Sequence, residues 1–241
     1  MRLNNILITA SALALLVSFW NRNDIPGTID YVAASADEPQ QTRTSERPFD
    51  VSYNDVGYHV EPEYAYDITG MVVSYRHHHE DNSRMHALAK DHLNMLDVCV
   101  IWGDNRMNQR LDKISFWNGL FTCNVKTRDQ AAWDAFNMDQ LSNNHLLSDD
   151  EFIRRQVKKI RVGDQIRVRG VLAGYTSDGG SVRGTSTTRT DTGNGACETI
   201  YVKSFEIVEA ATSNWRISMW TSLALLIIGL GIHFMRPYRP H

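Results

Sequence analysis

The 241-residue chain has few cysteines, Cys99, Cys123 and Cys197, and none has a close Cys or His partner in the spacing of a metal or redox motif. Structural zinc sites and dithiol redox centres need such pairs, so both classes are excluded. An excess of one charge is also missing. The 25 Lys and Arg against 28 Asp and Glu leave a formal net charge of -3, whereas a chain that coats nucleic acid carries a basic surplus. The 42 % hydrophobic and 22 % charged shares exclude wholesale disorder, collagen-like and coiled-coil architectures, and leave one medium domain with additions.

What is present begins with two apolar runs at the chain ends. Ile6 to Trp20 reads ILITASALALLVSFW without a charge, and Trp215 to Met235 reads WRISMWTSLALLIIGLGIHFM with Arg216 at its edge. Both reach the roughly 17–25 residues that cross a bilayer, the first when counted from Leu3. Trp20, Trp215 and Trp220 lie near the run ends, where an indole sits at headgroup level. A signal peptide cleaved near Ala34-Ser35-Ala36 is the rival reading of the first run, but that site lies far past the apolar stretch. The expected organisation is a transmembrane anchor at 1–20, a stalk at 21–62, a domain at 63–212, a second transmembrane helix at 213–235 and a tail at 236–241. Arg2 precedes the first span while Arg236 and Arg239 follow the second, so the positive-inside rule puts both tails in the cytoplasm and the domain in the periplasm of a bacterial inner membrane.

The stalk segment is rich in Pro, Ser, Thr, Gln and acids, although Phe49, Val51, Tyr53, Val56 and Tyr58 suit an arm docked on the domain. Strand composition then recurs at Tyr66 to Tyr75, Leu96 to Trp102, Gly119 to Lys126, Gln165 to Tyr175 and Thr199 to Val208. Helical segments are expected at Asn82 to Leu93, Asp129 to Phe136 and Asp149 to Ile160. The last has Ser148 as N-cap, Glu151 completing a capping box, and an apolar face of Phe152, Ile153, Val157 and Ile160. The fold class is mainly β with helices: a five-stranded barrel with a helix between strands three and four, flanked by two transmembrane helices.

The stretch Ile160 to Val171, IRVGDQIRVRGV, with the opening Asp67-Ile68-Thr69-Gly70-Met71-Val72-Val73, resembles an OB-fold, in which a Val-Gly-Asp turn follows the helix and leads into the fourth strand. CVIWGDN, LSNNHLLSDD and RGTSTTRTDTGNGACE resemble an uncharacterised family of bacterial membrane-anchored proteins, a resemblance that implies no activity. In OB-folds the loop between strands four and five belongs to the ligand face. Here that loop is Thr176 to Thr199, where Arg183 and Arg189 suit a carboxylate or phosphate, and Gly193 and Gly195 let backbone amides approach an anion. The competing reading is a solvated hairpin with Asp191 paired to an arginine.

Other candidates are weaker. His145, just ahead of the capped helix, suits an imidazole presented beside a helix N-terminus, and Trp102 suits stacking on a sugar or base. His77 and His79 share a strand face that His78 does not, yet third and fourth metal ligands are missing, so no metal and no cofactor is assigned. Asp104, Asp191 and Glu198 with Arg183 and Arg189 imitate an OB-type nuclease, but without an acid pair on one strand; no catalytic residue is assigned. Ser186 lacks the glycines of a nucleophile elbow, and Cys99 lies in a buried strand. Cys123 with Cys197 is the expected disulfide, because Cys123 shares a strand face with Phe121 and Val125 while Cys197 opens the last strand. Two anchors around one periplasmic domain favour a non-enzymatic binding or scaffolding role with a protein partner in the cell envelope. A small anionic ligand or glycan held by the Arg183 to Glu198 loop is the alternative, and a hydrolase the third; nucleic acid is disfavoured outside the cytoplasm.

Overall fold

The computed structural model describes residues 2–78, 91–119, 122–188 and 197–235. They form two compact units, one built from the chain ends (up to Gly27 and from Thr212) and one from Thr28 to Ala211.

The terminal unit is a pair of helices, α1 (Arg2–Trp20) and α4 (Asn214–Phe234), both long and apolar enough to cross a membrane. Asn4 Nδ2 donates to Gly229 O at 3.1 Å near one end and Ser18 Oγ donates to Ser218 Oγ at 2.8 Å near the other. The helices are therefore antiparallel, and these two polar contacts are made between them, as an apolar solvent favours. Ser213 caps α4 through the amide of Arg216.

The second unit is mainly β. Its strands are β1 (Gln40–Arg43), β2 (Phe49–Tyr53), β3 (Val56–His77), β4 (Asn94–Ile101), β5 (Ile114–Asn118), β6 (Cys123–Thr127), β7 (Leu141–Leu147), β8 (Gln165–Ser177), β9 (Val182–Arg183) and β10 (Cys197–Glu209). Helices α2 (Gln130–Asp134) and α3 (Glu151–Val157) lie between strands. β3 pairs with β4, β4 with β7, β7 with β10, β10 with β8, and β8 again with β3, so the pairings of the large mixed sheet return to their start. All these pairings are antiparallel except β7 with β10.

One face of these strands carries Leu96, Val98, Val100, Leu146, Ile166, Val168, Ile200 and Val202, the main core, on which Ile153, Val157 and Ile160 also pack. At Gly70 a Cβ would stand 2.5 Å from Ile101 O, so the close approach of β3 to β4 requires glycine there. The Val-Gly-Asp turn into β8 is present: Gly163 takes φ +94, and Asp164 accepts from the amides of Arg161 at 2.7 Å and Ala211 at 2.8 Å.

Several expectations need correction. Residues 40–43, 49–53 and the start of β3 lie in the segment read as a stalk, yet they are strands of the sheet. In the segment read as the third strand, Gly119 to Lys126, the strand among the described residues is β6, which pairs with β5 in a separate hairpin. The strand next to β4 is instead β7. The N-cap of α3 is Asp150, not Ser148, and Phe152 is 59 % exposed rather than part of the apolar face. Most of the helix expected at Asn82 to Leu93 lies outside the described residues, and its last three, Asp91 to Leu93, are not helical.

Candidate functional site

Registers across β4, β7 and β10 bring a set of polar residues to the sheet face opposite the main core. Asp97 on β4 stands across from His145 on β7, which stands across from Thr199 on β10; one pair further along, Asn143 lies between Cys99 and Cys197. Side chains two apart share a face, so Asp97, Cys99, Asn143, His145, Cys197 and Thr199 project together.

Asp97 is 1 % exposed and its Oδ1 is the hub of the group. It accepts from His145 Nδ1, lies 2.9 Å from His78 Nε2, and receives Asn94 Nδ2 at 3.2 Å. Burial works to raise the Asp97 pKa, but His145 and then His78 outweigh it and hold the carboxyl well below its ordinary range. For His145 burial works downward, while Asp97 and, after it, a side-chain interaction with Cys197 push the imidazole up to about 9. With Nδ1 committed to Asp97, the ring nitrogen left for Cys197 is Nε2. The order carboxylate, imidazole, thiol is thus built across three adjacent strands.

The sulfur has a second neighbour, the side-chain amide of Asn143, whose Nδ2 donates to Sγ at 3.3 Å. A relay fixes the direction of that amide: Ser74 Oγ donates to Asn118 Oδ1 at 2.6 Å, and Asn118 Nδ2 donates to Asn143 Oδ1 at 3.2 Å. Asn118 ends β5, and the β5–β6 hairpin is tied to β4 by a disulfide between Cys99 and Cys123, with Cα atoms 5.8 Å apart. The expected bridge from Cys123 to Cys197 is therefore wrong in its partner. Cys99 faces the hairpin from the same sheet face, and Cys197 keeps its thiol.

Cys197, Thr199 and His145 line an open cleft of about 420 Å³ together with Val182, Arg183, Gly184 and Thr185. Three hydrogen bonds tie the segment after β9 to β10: Thr199 Oγ1 to Gly184 O at 2.9 Å, Thr199 N to Thr185 Oγ1 at 3.0 Å, and Ser186 N to Cys197 O at 2.8 Å. Arg183 is positioned by the pairing of β9 with β8, and its Nη2 lies 3.6 Å from Asp91 Oδ2.

Of the residues singled out in the sequence, Arg183 and His145 meet in this cleft, beside Cys197. Glu198 is buried and, by strand alternation, points to the other face. Trp102 belongs to the main core and is 2 % exposed, so it offers no stacking platform. Arg189, Asp191, Gly193 and Gly195 lie outside the described residues, as does His79. His145 is on a strand and not on a loop before the helix. His78, the histidine set apart from the expected metal pair, is the one that reaches Asp97. Among the described residues no group of three His, Cys, Asp or Glu side chains has the arrangement of a metal site.

Asp97, Asn143 and Cys197 as a thiol site are not read from the sequence. A signal exists in retrospect: Asp97 with Cys99, Asn143 with His145 and Cys197 with Thr199 are i, i+2 pairs in three segments, the spacing of one strand face. No protein-family model, curated protein or solved structure matches this chain.

Proposed function

We propose that the protein is a two-pass bacterial inner-membrane protein whose β domain lies on the periplasmic side and uses Cys197 as the nucleophile of an acyl-transfer or acyl-hydrolysis reaction. The observation that carries the chemistry is the buried Asp97–His145 pair whose imidazole lines the same open cleft as Cys197. A base oriented by a carboxylate beside a partly exposed thiol is the general arrangement of an activated sulfur nucleophile.

In this reading His145 Nε2 takes the thiol proton as the sulfur reacts, while Asp97 holds Nδ1. Sγ attacks a substrate carbonyl carbon, an S–C bond forms, and the carbonyl oxygen takes up negative charge. Asn143 Nδ2, fixed by Asn118 and already directed at Sγ, is the donor for that oxyanion. Collapse breaks the bond from carbon to the leaving nitrogen or oxygen, which receives the proton from Nε2. Water then attacks the thioester, gives a proton back to Nε2, and the C–S bond breaks to release the acid. Asp97 and His78 are positioning residues that keep the imidazole in one tautomer and orientation.

Anchoring is supported by two long apolar helices that run antiparallel, which brings both chain ends to one side. The disulfide is compatible with an oxidising compartment. The ring of strand pairings, with α3 between β7 and β8, supports an OB-type barrel. An envelope scaffold is the second reading; it uses the same anchors but leaves the thiol series without a task. Alkaline phosphatase fused after Thr212 is expected to be active, and fused after His241 inactive; the reverse pattern overturns the orientation.

The chemistry is tested with p-nitrophenyl acetate on the full chain in detergent. The expected result is turnover with an acetyl adduct on Cys197, lost in Cys197→Ala and reduced to the adduct rate of a simple thiol in His145→Ala. Equal rates for wild type and His145→Ala contradict it.

A further inference from the structure

We propose that the Cys197 cleft selects acyl substrates that carry a negative charge, such as a carboxylate, beside the reacting carbonyl, with Arg183 as the group that takes that charge. The proposal rests on Cys197 being the nucleophile and adds the class of substrate.

The argument is one of charge placement. Two side chains that line the cleft are basic, Arg183 and His145, and among the described residues no acid lines it. The compensating acids stand behind them. Asp97 lies under His145 at 1 % exposure, while Asp91, 4 % exposed, accepts from the Tyr175 hydroxyl at 2.7 Å and lies 3.6 Å from Arg183. Each ion pair therefore points its positive end to the cleft and its negative end to the interior. Arg183 itself keeps 22 % of its side chain exposed, enough for its planar fork to meet a carboxylate from the solvent side.

The placement is also rigid. Tyr175 on β8 pairs with Arg183, and the next three residues are tied to Cys197 and Thr199 by the hydrogen bonds that form the cleft wall. The guanidinium and the sulfur are thus both held at one small space, as a substrate gripped at one group and attacked at another requires. A neutral glycan fits less well, because no aromatic ring lines the cleft among the described residues.

The test compares two alkylating probes of nearly equal size, iodoacetate and iodoacetamide, on the full chain in detergent at low salt. Cys99 and Cys123 are bonded to each other, so Cys197 is the thiol that reports. The ratio of iodoacetate to iodoacetamide rates is expected to exceed that of free cysteine by about fivefold to tenfold, and to fall to the free-cysteine ratio in Arg183→Gln. Arg183→Lys keeps the charge and is expected to keep most of the preference. The iodoacetamide rate corrects each variant for any change in the thiol itself, so the ratio is the readout; should Arg183→Gln lose both rates through misfolding, the ratio in Arg183→Lys decides. A wild-type ratio equal to that of free cysteine, or one unaltered in Arg183→Gln, overturns the anion preference while leaving the nucleophile intact. An iodoacetamide rate that is the same in wild type and His145→Ala overturns the nucleophile instead, so the two failures are distinct.

Discussion

Asp97 and His145 stand directly opposite each other in the β4–β7 register, and the buried carboxylate takes Nδ1 of the imidazole. That pairing turns a polar row in the sheet into an ordered series ending at Cys197. It also fixes which ring nitrogen is available to the sulfur.

Replacing Asp97 by Asn removes the charge but keeps the shape. In Asp97→Asn the His145 titration midpoint, followed by the ring proton resonances, is expected to drop from about 9 toward or below the ordinary imidazole value. Turnover of p-nitrophenyl acetate is expected to fall by about 10²-fold or more. An unmoved midpoint contradicts the role assigned to Asp97.

Stability should follow the same pair. The raised His145 value means that its imidazolium contributes stability that is complete below the unfolded value of about 6.5 and is lost as pH rises through about 9. The depressed Asp97 value adds a contribution present above about 3.9 and lost as pH falls. The groups facing His145 from its neighbours are Asp97, His78 through that carboxylate, and Cys197. Unfolding of the full chain in detergent is therefore expected to be hardest near pH 5 to 6.5 and easier by up to about 3 kcal/mol at pH 9. Asp97→Asn should flatten the profile on the alkaline side.

Asn143 separates two kinds of reaction at one sulfur. Its amide is needed where an oxyanion forms, and alkylation by iodoacetamide forms none. Asn143→Ala is expected to lower ester turnover by about 10²-fold to 10³-fold while changing the alkylation rate far less, by the loss of one hydrogen bond to Sγ. Equal losses in both assays would mean that Asn143 supports the strand and not the transition state.

Arg154 is a test of the scaffold away from the cleft. It is 2 % exposed, donates to the carbonyls of Leu93, Ser148 and His92, and lies 3.8 Å over the Tyr53 ring. Arg154→Met leaves those carbonyls without the donor and is expected to cost about 3 kcal/mol in denaturant unfolding. A change under about 0.5 kcal/mol contradicts that account.

Much of the fold is legible in the sequence because its signals are local. β-branched and aromatic residues mark β3, β4, β8 and β10, Gly163-Asp164 marks the turn into β8, and the two terminal runs mark the long helices. β7 escapes because Ser142-Asn143-Asn144-His145 is polar and lacks β-branched residues, and Asn-Asn reads as a turn. It is a strand by virtue of its neighbours, which supply the pairing and burial that its own composition does not. The site is hidden for the same reason: His145 finds Asp97 and Cys197 only through two strand registers. The disulfide follows from position too, since Cys99 opposes the β5–β6 hairpin, a relationship that spacing along the chain does not reveal.

The central claim, that His145 activates Cys197, is tested most directly by the rate of Cys197 alkylation with iodoacetamide at pH 7 in wild type and His145→Ala, each checked for an unchanged fold. The account predicts a wild-type rate at least about tenfold above the variant. Equal rates would contradict it.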